Sequence, residues 1–370
     1  MPVPAAASAA DPRLVRNTCI LAHVDHGKTS LADHLVASGG SGLLHPRLAG
    51  SARFMDHLPE EQRRAITMKS SSVALRHAHP TGVHRVHLID SPGHADFCSE
   101  VSAAARLSDS ALIVVDAAKG VRIQTHAALR QAFVERLRPC LKTGASKVML
   151  LRVFWGPYYV DKEKKAILPL RKESAGSGAD QQPAFVQNVL KPLWKVYQRG
   201  LMPNGAEWMH NDIVSVFNLK VSSRELHSKD PKVSLHAVLR AWLPLAESVM
   251  EMLVECTPDP VAAQAFRVPR LMPERRIAAG GHASIVAEME LVRSCVAACS
   301  TNASAPVVVF VSKMFAVPYS MLPSKGLNGE LLNHNHGNSE PGSEEECFLA
   351  FARVFSGVLR AGQKVFVLSP

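Results

Sequence analysis

The chain has 370 residues, which is enough for two or three domains with a buried core, and 47% of them are hydrophobic, as in an ordinary globular protein. No stretch approaches the ~20 apolar residues that cross a bilayer, and the first ten residues lack the pattern of a secretory signal, so a membrane protein is not predicted. The formal net charge of +10 favours anionic partners, although the basic residues do not form the aromatic-interleaved patch of an RNA-reading module.

Cysteine usage indicates a reducing compartment. The chain has seven cysteines, an odd number at irregular positions, and they do not predict a disulfide framework. We therefore expect a cytoplasmic protein.

The first strand and helix enclose a candidate phosphate loop. Residues 1–13 are small, polar and interrupted by proline, which predicts a disordered N-terminus. Asn17–Ala22 predicts a buried strand and Thr29–Ala37 the helix after it. The segment between them fits the phosphate-loop pattern, with Gly27-Lys28-Thr29 at its end and Ala22 where a first glycine is usual. In such a loop backbone N–H groups bind phosphate, the lysine reaches the β- and γ-phosphates, and the threonine hydroxyl ligates Mg²⁺.

A second motif supplies what a phosphate loop needs from the neighbouring strand. Asp90-Ser91-Pro92-Gly93-His94 follows the mostly apolar run Val86–Ile89, which predicts a strand. An aspartate at a strand end can hold Mg²⁺ through water, and a glycine after it lets the backbone approach a γ-phosphate. Thr67, between the two motifs, can add a second hydroxyl to the metal. Together these motifs predict a nucleoside-triphosphate site with Mg²⁺.

The surrounding elements alternate between strand and helix. Ser70–Arg76 and Arg85–Asp90 predict a strand pair joined by a turn at His79–Gly82, and His45–Lys69 predicts a loop that orders around a γ-phosphate. A helix, a buried strand and a second helix then follow: Ala95–Leu107, Ala111–Asp116 and Gln124–Arg136. This succession predicts an α/β fold with a doubly wound, mostly parallel sheet.

The motifs resemble those of the translational GTPases, close to elongation factor two. The resemblance rests on Ala22–Thr29, on Asp90–His94 and on Asp116–Val121 followed by Gln124 and Thr125. Four shorter segments resemble one branch, the elongation-factor-like GTPase of cytoplasmic large-subunit ribosome maturation: Arg47–Gly50, Phe54–Asp56, Ile66–Ser71 and Leu129–Ala132. The similarity is dense over Asn17–Pro139 and patchier afterwards.

The resemblance implies a P-loop GTPase-type domain that binds GTP and Mg²⁺ and hydrolyses GTP. It implies that Thr29, Thr67 and Asp90 hold the metal and that His94 is the catalytic residue that orients the attacking water. The implied nucleotide-binding residues are Ala22, His23, Val24, Asp25, His26, Gly27, Lys28, Thr29, Ser30, Asp90 and Gly93. For His23 and His26, the residue types themselves favour a structural or solvated role.

The resemblance also implies partners. These are the large ribosomal subunit and its maturation factors. We also expect contact with ribosomal RNA, no membrane partner and a monomeric state. In that family the GTPase promotes release of an anti-association initiation factor from the large (60S) subunit.

The chain departs from the family pattern at two places. The Asn-Lys-x-Asp motif, whose aspartate selects guanine, is absent from the whole chain, and Lys142–Lys147 stands where it is expected. An internal deletion near Leu141–Thr143 is the most economical account. Ala65 stands where the family has glycine, and because alanine tolerates positive φ poorly, we expect less ready closure of the loop His45–Lys69.

The remainder predicts a helical segment and a second domain. Residues 14–142 are predicted as the incomplete GTPase core, and 143–267 as its helical remainder, which includes 148–159, 185–197 and the apolar stripe of Val233–Cys256. Residues 161–184 predict a surface loop and 268–282 a linker. Residues 283–370 predict a helix and then a partial β-barrel domain, with strands at Val307–Val311 and Phe348–Phe355, a disordered insertion at 323–346, and an opening hairpin of Arg353–Val358 and Gly362–Pro370.

Three functions stay open on the sequence. The first is a GTPase of late large-subunit maturation. The second is a remnant that keeps the triphosphate site but has lost base selection and turnover, and the missing Asn-Lys-x-Asp favours it. The third is a P-loop enzyme with another base preference, such as an ATPase, and His94 after Pro92-Gly93 argues against it. Competition between GTP and ATP for binding separates them.

Overall fold

A five-stranded sheet forms the core of the N-terminal part of this computed structural model. The structure describes residues 11–39, 42–139, 156–161, 166–169, 182–273, 283–318, 324–325, 331–332 and 346–368. The chain divides into two units, one made of Met1–Cys140 with Cys256–Pro370 and the other of Leu141–Glu255. Among the described residues, no helix has the length and apolar character needed to span a membrane.

The sheet of the first unit is mostly parallel, as predicted. Its strands are β1 (Val15–Ala22), β2 (Ser71–His79), β3 (Gly82–Asp90), β4 (Ser110–Val114) and β5 (Arg138–Pro139), in the spatial order β2-β3-β1-β4-β5. Strand β1 pairs in parallel with β3 and β4, β5 is parallel to β4, and only β2 runs antiparallel, to β3. Because β1 lies between two strands, its last five residues are buried, and all of them except Thr18 are apolar.

Four helices accompany this sheet: α1 (Lys28–Ser38), α2 (Pro59–Arg64), α3 (Cys98–Leu107) and α4 (Ile123–Val134). Short 3₁₀ turns lie at Pro12–Leu14, Pro46–Leu48 and Ala95–Phe97. The predicted strands and helices agree with these elements to within a few residues. The predicted loop His45–Lys69 contains α2 and is held by the buried Glu61 carboxylate, which accepts the N–H groups of Leu58, Met68 and Lys69 at 3.0, 2.8 and 2.8 Å.

The C-terminal elements of the first unit pack on the same core. They are α10 (Pro260–Leu271), α11 (Ala283–Ala297), β8 (Val308–Pro318) and β11 (Glu346–Ser356). Between the two long strands in the sequence, the two-residue strands β9 (Ser324–Lys325) and β10 (Leu331–Leu332) pair with each other. The side chain of Arg267 on α10 is 1% exposed. It donates to the carbonyl oxygens of Glu135, Ala105 and Arg106 at 3.0, 3.3 and 3.1 Å, and it also contacts the carbonyl of Ser108. The Arg267 side chain, distant from α3 in the sequence, therefore caps the C-terminal end of that helix.

Two predictions for this region are wrong. The segment predicted as a linker from Val268 is helical as far as Leu271, because α10 buries Arg267 and Val268; 274–282 lie outside the described residues. Strand β11 pairs antiparallel with β8 instead of with Gly362–Pro370, and residues 362–368 form no strand. The register with β8 pairs eleven-residue strands and buries Phe355, whereas Phe366 is 99% exposed. The described residues form no closed barrel.

The second unit is mainly helical, as predicted for the segment after the core. Its helices are α5 (Lys191–Gly200), α6 (Gly205–Met209), α7 (Ser223–Leu226), α8 (Pro231–Trp242) and α9 (Leu245–Cys256), with π-helical turns at Val186–Leu190 and His210–Val214. The predicted stripe Val233–Cys256 is two helices, because Pro244 interrupts it. The core consists of Val196, Met209, Ile213, Leu226, Leu235 and Val238.

A short hairpin in this unit differs from the prediction. Strand β6 (Tyr158–Asp161) pairs antiparallel with β7 (Ala166–Pro169), where a helical continuation up to Tyr159 and a surface loop after it were expected. Four segments named in the predictions lie outside the described residues: 1–10, the deletion point Leu141–Thr143, 148–155 and most of 323–346.

Candidate nucleotide-binding site

The loop from β1 to α1 has the backbone that a phosphate loop requires. Strand β1 ends at Ala22 and α1 begins at Lys28, with Gly27 as the N-cap residue at φ +84°. Asp25 also has a positive φ, +56°. Glycine adopts this left-handed conformation without penalty and aspartate tolerates it better than most residues. The turn therefore brings the chain directly into the N-terminus of α1, whose free N–H groups and positive dipole end favour an anion.

A cavity of about 190 Å³ lies over this helix end. It is lined by Val24, Asp25, Gly27, Lys28, Thr29, Ser30, Arg53, Ala65, Ile66, Thr67 and Gly93. The structure thus brings together eight of the predicted site residues. Ala22, His23, His26 and Asp90 do not line this cavity, although Asp90 is connected to it through Thr29.

Three predicted metal ligands converge behind the cavity. The Thr29 hydroxyl donates to Asp90 Oδ2 at 3.0 Å, and Thr29 Oγ1 lies 3.1 Å from Thr67 Oγ1. The Asp90 carboxylate is fully buried, and its Oδ1 has no hydrogen-bond partner among the described residues. Burial raises the pKa of Asp90 to about 6, although the ammonium of Lys28 and the hydroxyl of Thr29 oppose the rise.

This oxygen set fits Mg²⁺. Octahedral Mg²⁺ takes oxygen ligands at about 2.1 Å, which places adjacent ligands about 3.0 Å apart, close to the spacing of the two threonine oxygens. Asp90 Oδ1 is buried and accepts no hydrogen bond from the described residues, so it can serve a cation or a water bound to one. Thr29, Thr67 and Asp90 can hold a magnesium ion directly or through water.

Lys28 and Gly93 meet at the cavity wall. Lys28 is 7% exposed and its ammonium donates to the carbonyl oxygen of His23 at 3.4 Å; burial lowers its pKa, against the opposing charge of Asp90. A Cβ at position 93 would lie 2.5 Å from Lys28 Nζ and 3.0 Å from the Ala22 carbonyl oxygen. Only glycine therefore allows the segment after β3 to approach the phosphate loop this closely.

His94 lies beside the phosphate cavity and not in its lining. Its side chain is 45% exposed, and its Nδ1 accepts the N–H of Asp96 at 3.3 Å. It lines two neighbouring cavities, one with His23, Val24 and Asp25 of the loop and one with residues of α3 and α4. The residue is therefore placed next to the loop, with an imidazole that is accessible from outside.

The two loop histidines have different surroundings. The His23 and His26 rings meet edge to face, with centroids 5.2 Å apart. His26 is 5% exposed and its Nδ1 accepts the N–H of Asp116 at 3.3 Å, so it ties the phosphate loop to the end of the neighbouring strand. This contact agrees with the structural role that its residue type favours.

Sequence reasoning missed two charged residues of the site. Arg53 lines the cavity, and Asp56 accepts the hydroxyl of Thr67 at 2.8 Å. Asp56 had one signal, the resemblance of Phe54–Asp56 to a family segment, which says nothing about its side chain, and Arg53 had none. Ala65, predicted to resist positive φ, adopts φ +55° at the C-terminus of α2 and lines the cavity.

Comparisons with known proteins agree with this geometry. Residues 13–142 match the family model described as "Elongation factor Tu GTP binding domain". The chain is 30% identical to Elongation factor-like GTPase 1 of Homo sapiens, over 96% of this chain and 45% of the relative. It is 30% identical to Ribosome assembly protein 1 of Saccharomyces cerevisiae, over 85% of this chain and 37% of the relative. The chain thus spans less than half the length of these relatives.

The comparisons also give segments of the human relative that this chain lacks and one similar solved structure. The alignment with the human relative extends over 523 positions, more than the 370 residues of this chain, so the relative has internal segments without a counterpart here. A crystal structure of a protein from Thermus thermophilus is 22% identical and covers 68% of this chain and 41% of that one, with a TM-score of 0.37.

Proposed function

We propose that the chain, whose residues 13–142 match the elongation factor Tu GTP-binding domain model, binds GTP with Mg²⁺ and hydrolyses it to GDP and phosphate during maturation of the large ribosomal subunit. One observation carries the proposal for the site: Thr29, Thr67 and Asp90 present their oxygens together beside the buried ammonium of Lys28. A cation and a polyanion satisfy both sets of groups at once.

The residues divide the work of phosphoryl transfer by position. Loop amides from Val24 to Ser30 and the α1 dipole bind the phosphates, and Lys28 neutralises their β and γ oxygens. Thr29, Thr67 and Asp90 would hold Mg²⁺, which would supply positive charge to the phosphate oxygens. The N–H of Gly93 meets the γ-phosphate, and His94 orients the attacking water once a partner closes the exposed side of the imidazole.

The ribosomal part of the proposal is supported by the names of the relatives and by charge. One relative is named for ribosome assembly, and the net charge of +10 suits contact with ribosomal RNA. In its finer form, the chain acts as a monomer in the cytoplasm with other maturation factors and promotes release of an anti-association initiation factor.

A second candidate function follows from the missing base-selection motif. No Asn-Lys-x-Asp occurs in the chain, and the human relative contains internal segments that this chain lacks. Strand β5, after which the motif is expected, is described only at Arg138 and Pro139. A remnant that retains the triphosphate and metal groups would bind nucleotides weakly, with little preference for guanine, and would act as a nucleotide- or partner-binding fragment.

Titration with a fluorescent GTP analogue, with GTP or ATP as competitor, tests both candidates. Lys28→Met should weaken binding by roughly 10- to 100-fold, because a charge-assisted hydrogen bond contributes about 1.5–3 kcal/mol. Lys229→Met removes an exposed lysine of the second unit and is the control that should bind like the wild type. Stronger competition by GTP than by ATP supports the GTPase, and equal competition supports the remnant. Equal binding by wild type and Lys28→Met contradicts both.

Hydrolysis is tested separately. Phosphate release is measured with and without purified 60S subunits, and Lys28→Met is the inactive reference. Stimulation by the subunits supports the ribosomal role. GTP binding without phosphate release under either condition would show that the chain binds the nucleotide but does not turn it over.

A further inference from the structure

The two metal-ligating threonines each direct their single hydroxyl proton to a different carboxylate. Thr29 donates to Asp90 Oδ2 at 3.0 Å, and Thr67 donates to Asp56 Oδ1 at 2.8 Å. A hydroxyl has one proton and two lone pairs. With both protons engaged, the two oxygens, 3.1 Å apart, face each other with lone pairs only. Such a pair is repulsive by itself and favourable around a cation.

Asp56 is fixed in place by contacts that do not involve a nucleotide. The buried carboxylate of Asp33 on α1 accepts the N–H groups of Arg53 and Phe54 at 2.9 and 2.8 Å. The side-chain amide of Gln62 on α2 donates to the carbonyl oxygens of Arg53 and Asp56 at 3.0 and 2.9 Å. Asp56 itself is 3% exposed. Its carboxylate is therefore a rigid acceptor and not a mobile surface group.

The charge of this carboxylate is balanced locally. The Arg53 guanidinium forms an ion pair with Asp56 Oδ2, while Oδ1 receives the Thr67 proton. Without Arg53, two buried carboxylates, Asp56 and Asp90, would lie near the same pair of threonines with only Lys28 to balance them. Arg53 also lines the phosphate cavity, so its positive charge acts on Asp56 and on the cavity.

We propose that Asp56 is a positioning residue for Mg²⁺ binding: it takes the hydroxyl proton of Thr67 and so turns the oxygen lone pairs of Thr67 toward the metal that Thr29 and Asp90 also hold. Arg53 balances the negative charge of Asp56 as its ion-pair partner, which a neutral side chain at position 56 would not need. The assignment rests on the proposed function, since it requires Mg²⁺ with a bound triphosphate. Groups that orient a metal ligand commonly change metal affinity by about 10- to 100-fold when removed.

The test is the Mg²⁺ concentration that gives half-maximal retention of fluorescent GTP. Asp56→Ala should raise this midpoint about tenfold or more. In a Thr67→Ala background, which raises the midpoint by itself, the added Asp56→Ala change should have little further effect, because Asp56 acts through Thr67. Glu60→Ala, which removes a half-exposed carboxylate from the adjacent helix α2, is the matched control and should leave the midpoint unchanged.

A second variant separates positioning from structural support. Asp56→Asn retains an oxygen that can accept the Thr67 proton but loses the charge that pairs with Arg53. If Asp56 orients Thr67, Asn should restore most of the Mg²⁺ affinity lost in Asp56→Ala. If the Arg53 ion pair is what matters, Asn should behave like Ala, and the assignment is wrong. Because Asn has nearly the same shape, this variant also answers the question if Asp56→Ala does not fold.

The outcomes distinguish this assignment from the proposed function. Mg²⁺-dependent retention by the wild type together with an unchanged midpoint in Asp56→Ala overturns the assignment and leaves the function standing. Additive effects of Asp56→Ala and Thr67→Ala overturn it as well. A wild-type chain that retains no nucleotide at any Mg²⁺ concentration overturns the function and the assignment together.

Discussion

The buried carboxylate of Asp90 should make the ligand-free site a source of instability at neutral pH. Its pKa is raised from 3.8 to about 6, mainly by burial. In the unfolded chain the group ionises near its ordinary pKa, so between pH 4 and pH 6 the folded state holds a proton that the unfolded state has lost. Stability from this group is therefore fully present below about pH 4 and is lost as the pH rises through 6.

The magnitude follows from the two pKa values. A difference of about two pKa units corresponds to roughly 3 kcal/mol of unfolding free energy at pH 7.5, and to almost nothing at pH 4. The substitution Asp90→Asn introduces a neutral side chain of nearly the same shape, whose amide oxygen can still accept the hydrogen bond from the Thr29 hydroxyl. Without ligand and with chelator present, the variant should be more stable than the wild type by up to roughly 3 kcal/mol at pH 7.5 and about equal at pH 4.

Urea unfolding of both proteins at the two pH values measures this difference. Asp212→Asn, at an exposed position of the second unit, should differ from the wild type at neither pH. With Mg²⁺ and GTP added, the order should reverse, since only the wild type gains from binding the metal. A stability difference between Asp90→Asn and the wild type that does not change with pH, or that is larger at pH 4, would refute the reasoning.

Three further changes test other parts of the site and its support. Gly93→Ala should weaken GTP binding at least tenfold in a fluorescence titration, since the new methyl would lie 2.5 Å from the Lys28 ammonium; unchanged affinity would show that the two segments separate easily. His94→Ala should leave GTP affinity unchanged, because His94 does not line the phosphate cavity, and should slow subunit-stimulated phosphate release by about 10²-fold; an equal loss of affinity would contradict its assigned role. Arg267→Met should destabilise the chain by about 3–5 kcal/mol in urea unfolding. The substitution leaves the buried carboxylate of Asp109 with Arg353 as its remaining ionic partner, and it removes the hydrogen-bond donor from the carbonyl groups at the end of α3. Arg224→Met, at an exposed position, is the control.

The local elements of residues 13–142 could be predicted because each is encoded by a contiguous pattern. The apolar run at Cys19–Ala22, the phosphate loop and the strand before Asp90 carry their own periodicity and turn residues, so their type and order follow without tertiary information. The positive φ of Ala65 was expected only through the family resemblance, because the family has glycine at that position, and the structure has it there.

Predictions failed where a strand or helix depends on a distant partner. Strand β11 has the same sequence whether it pairs with β8 or with 362–370. The structure pairs it with β8 along its length and buries Phe355 against Val268 and Val296, which lie far away in the sequence. Helix α10 continues through Pro269 because Arg267, within the same turn, finds acceptors at the end of α3, far away in sequence. No local sequence pattern predicts the pairing of β11 with β8 or the contact of Arg267 with the end of α3.

The chain by itself thus determined which residues offer oxygens, amides and positive charge to a triphosphate, because those groups lie in short motifs. Only the tertiary structure decided how the hydroxyl protons are shared. Asp56 precedes α2 and Thr67 follows it. Asp33 holds the segment before the helix through the N–H of Arg53, and Glu61 on the helix holds the segment after it through the N–H of Met68, so that the carboxylate of Asp56 meets the hydroxyl of Thr67. The physical reason is that a hydrogen bond depends on distance and direction between two groups, and side-chain identity along a sequence specifies neither.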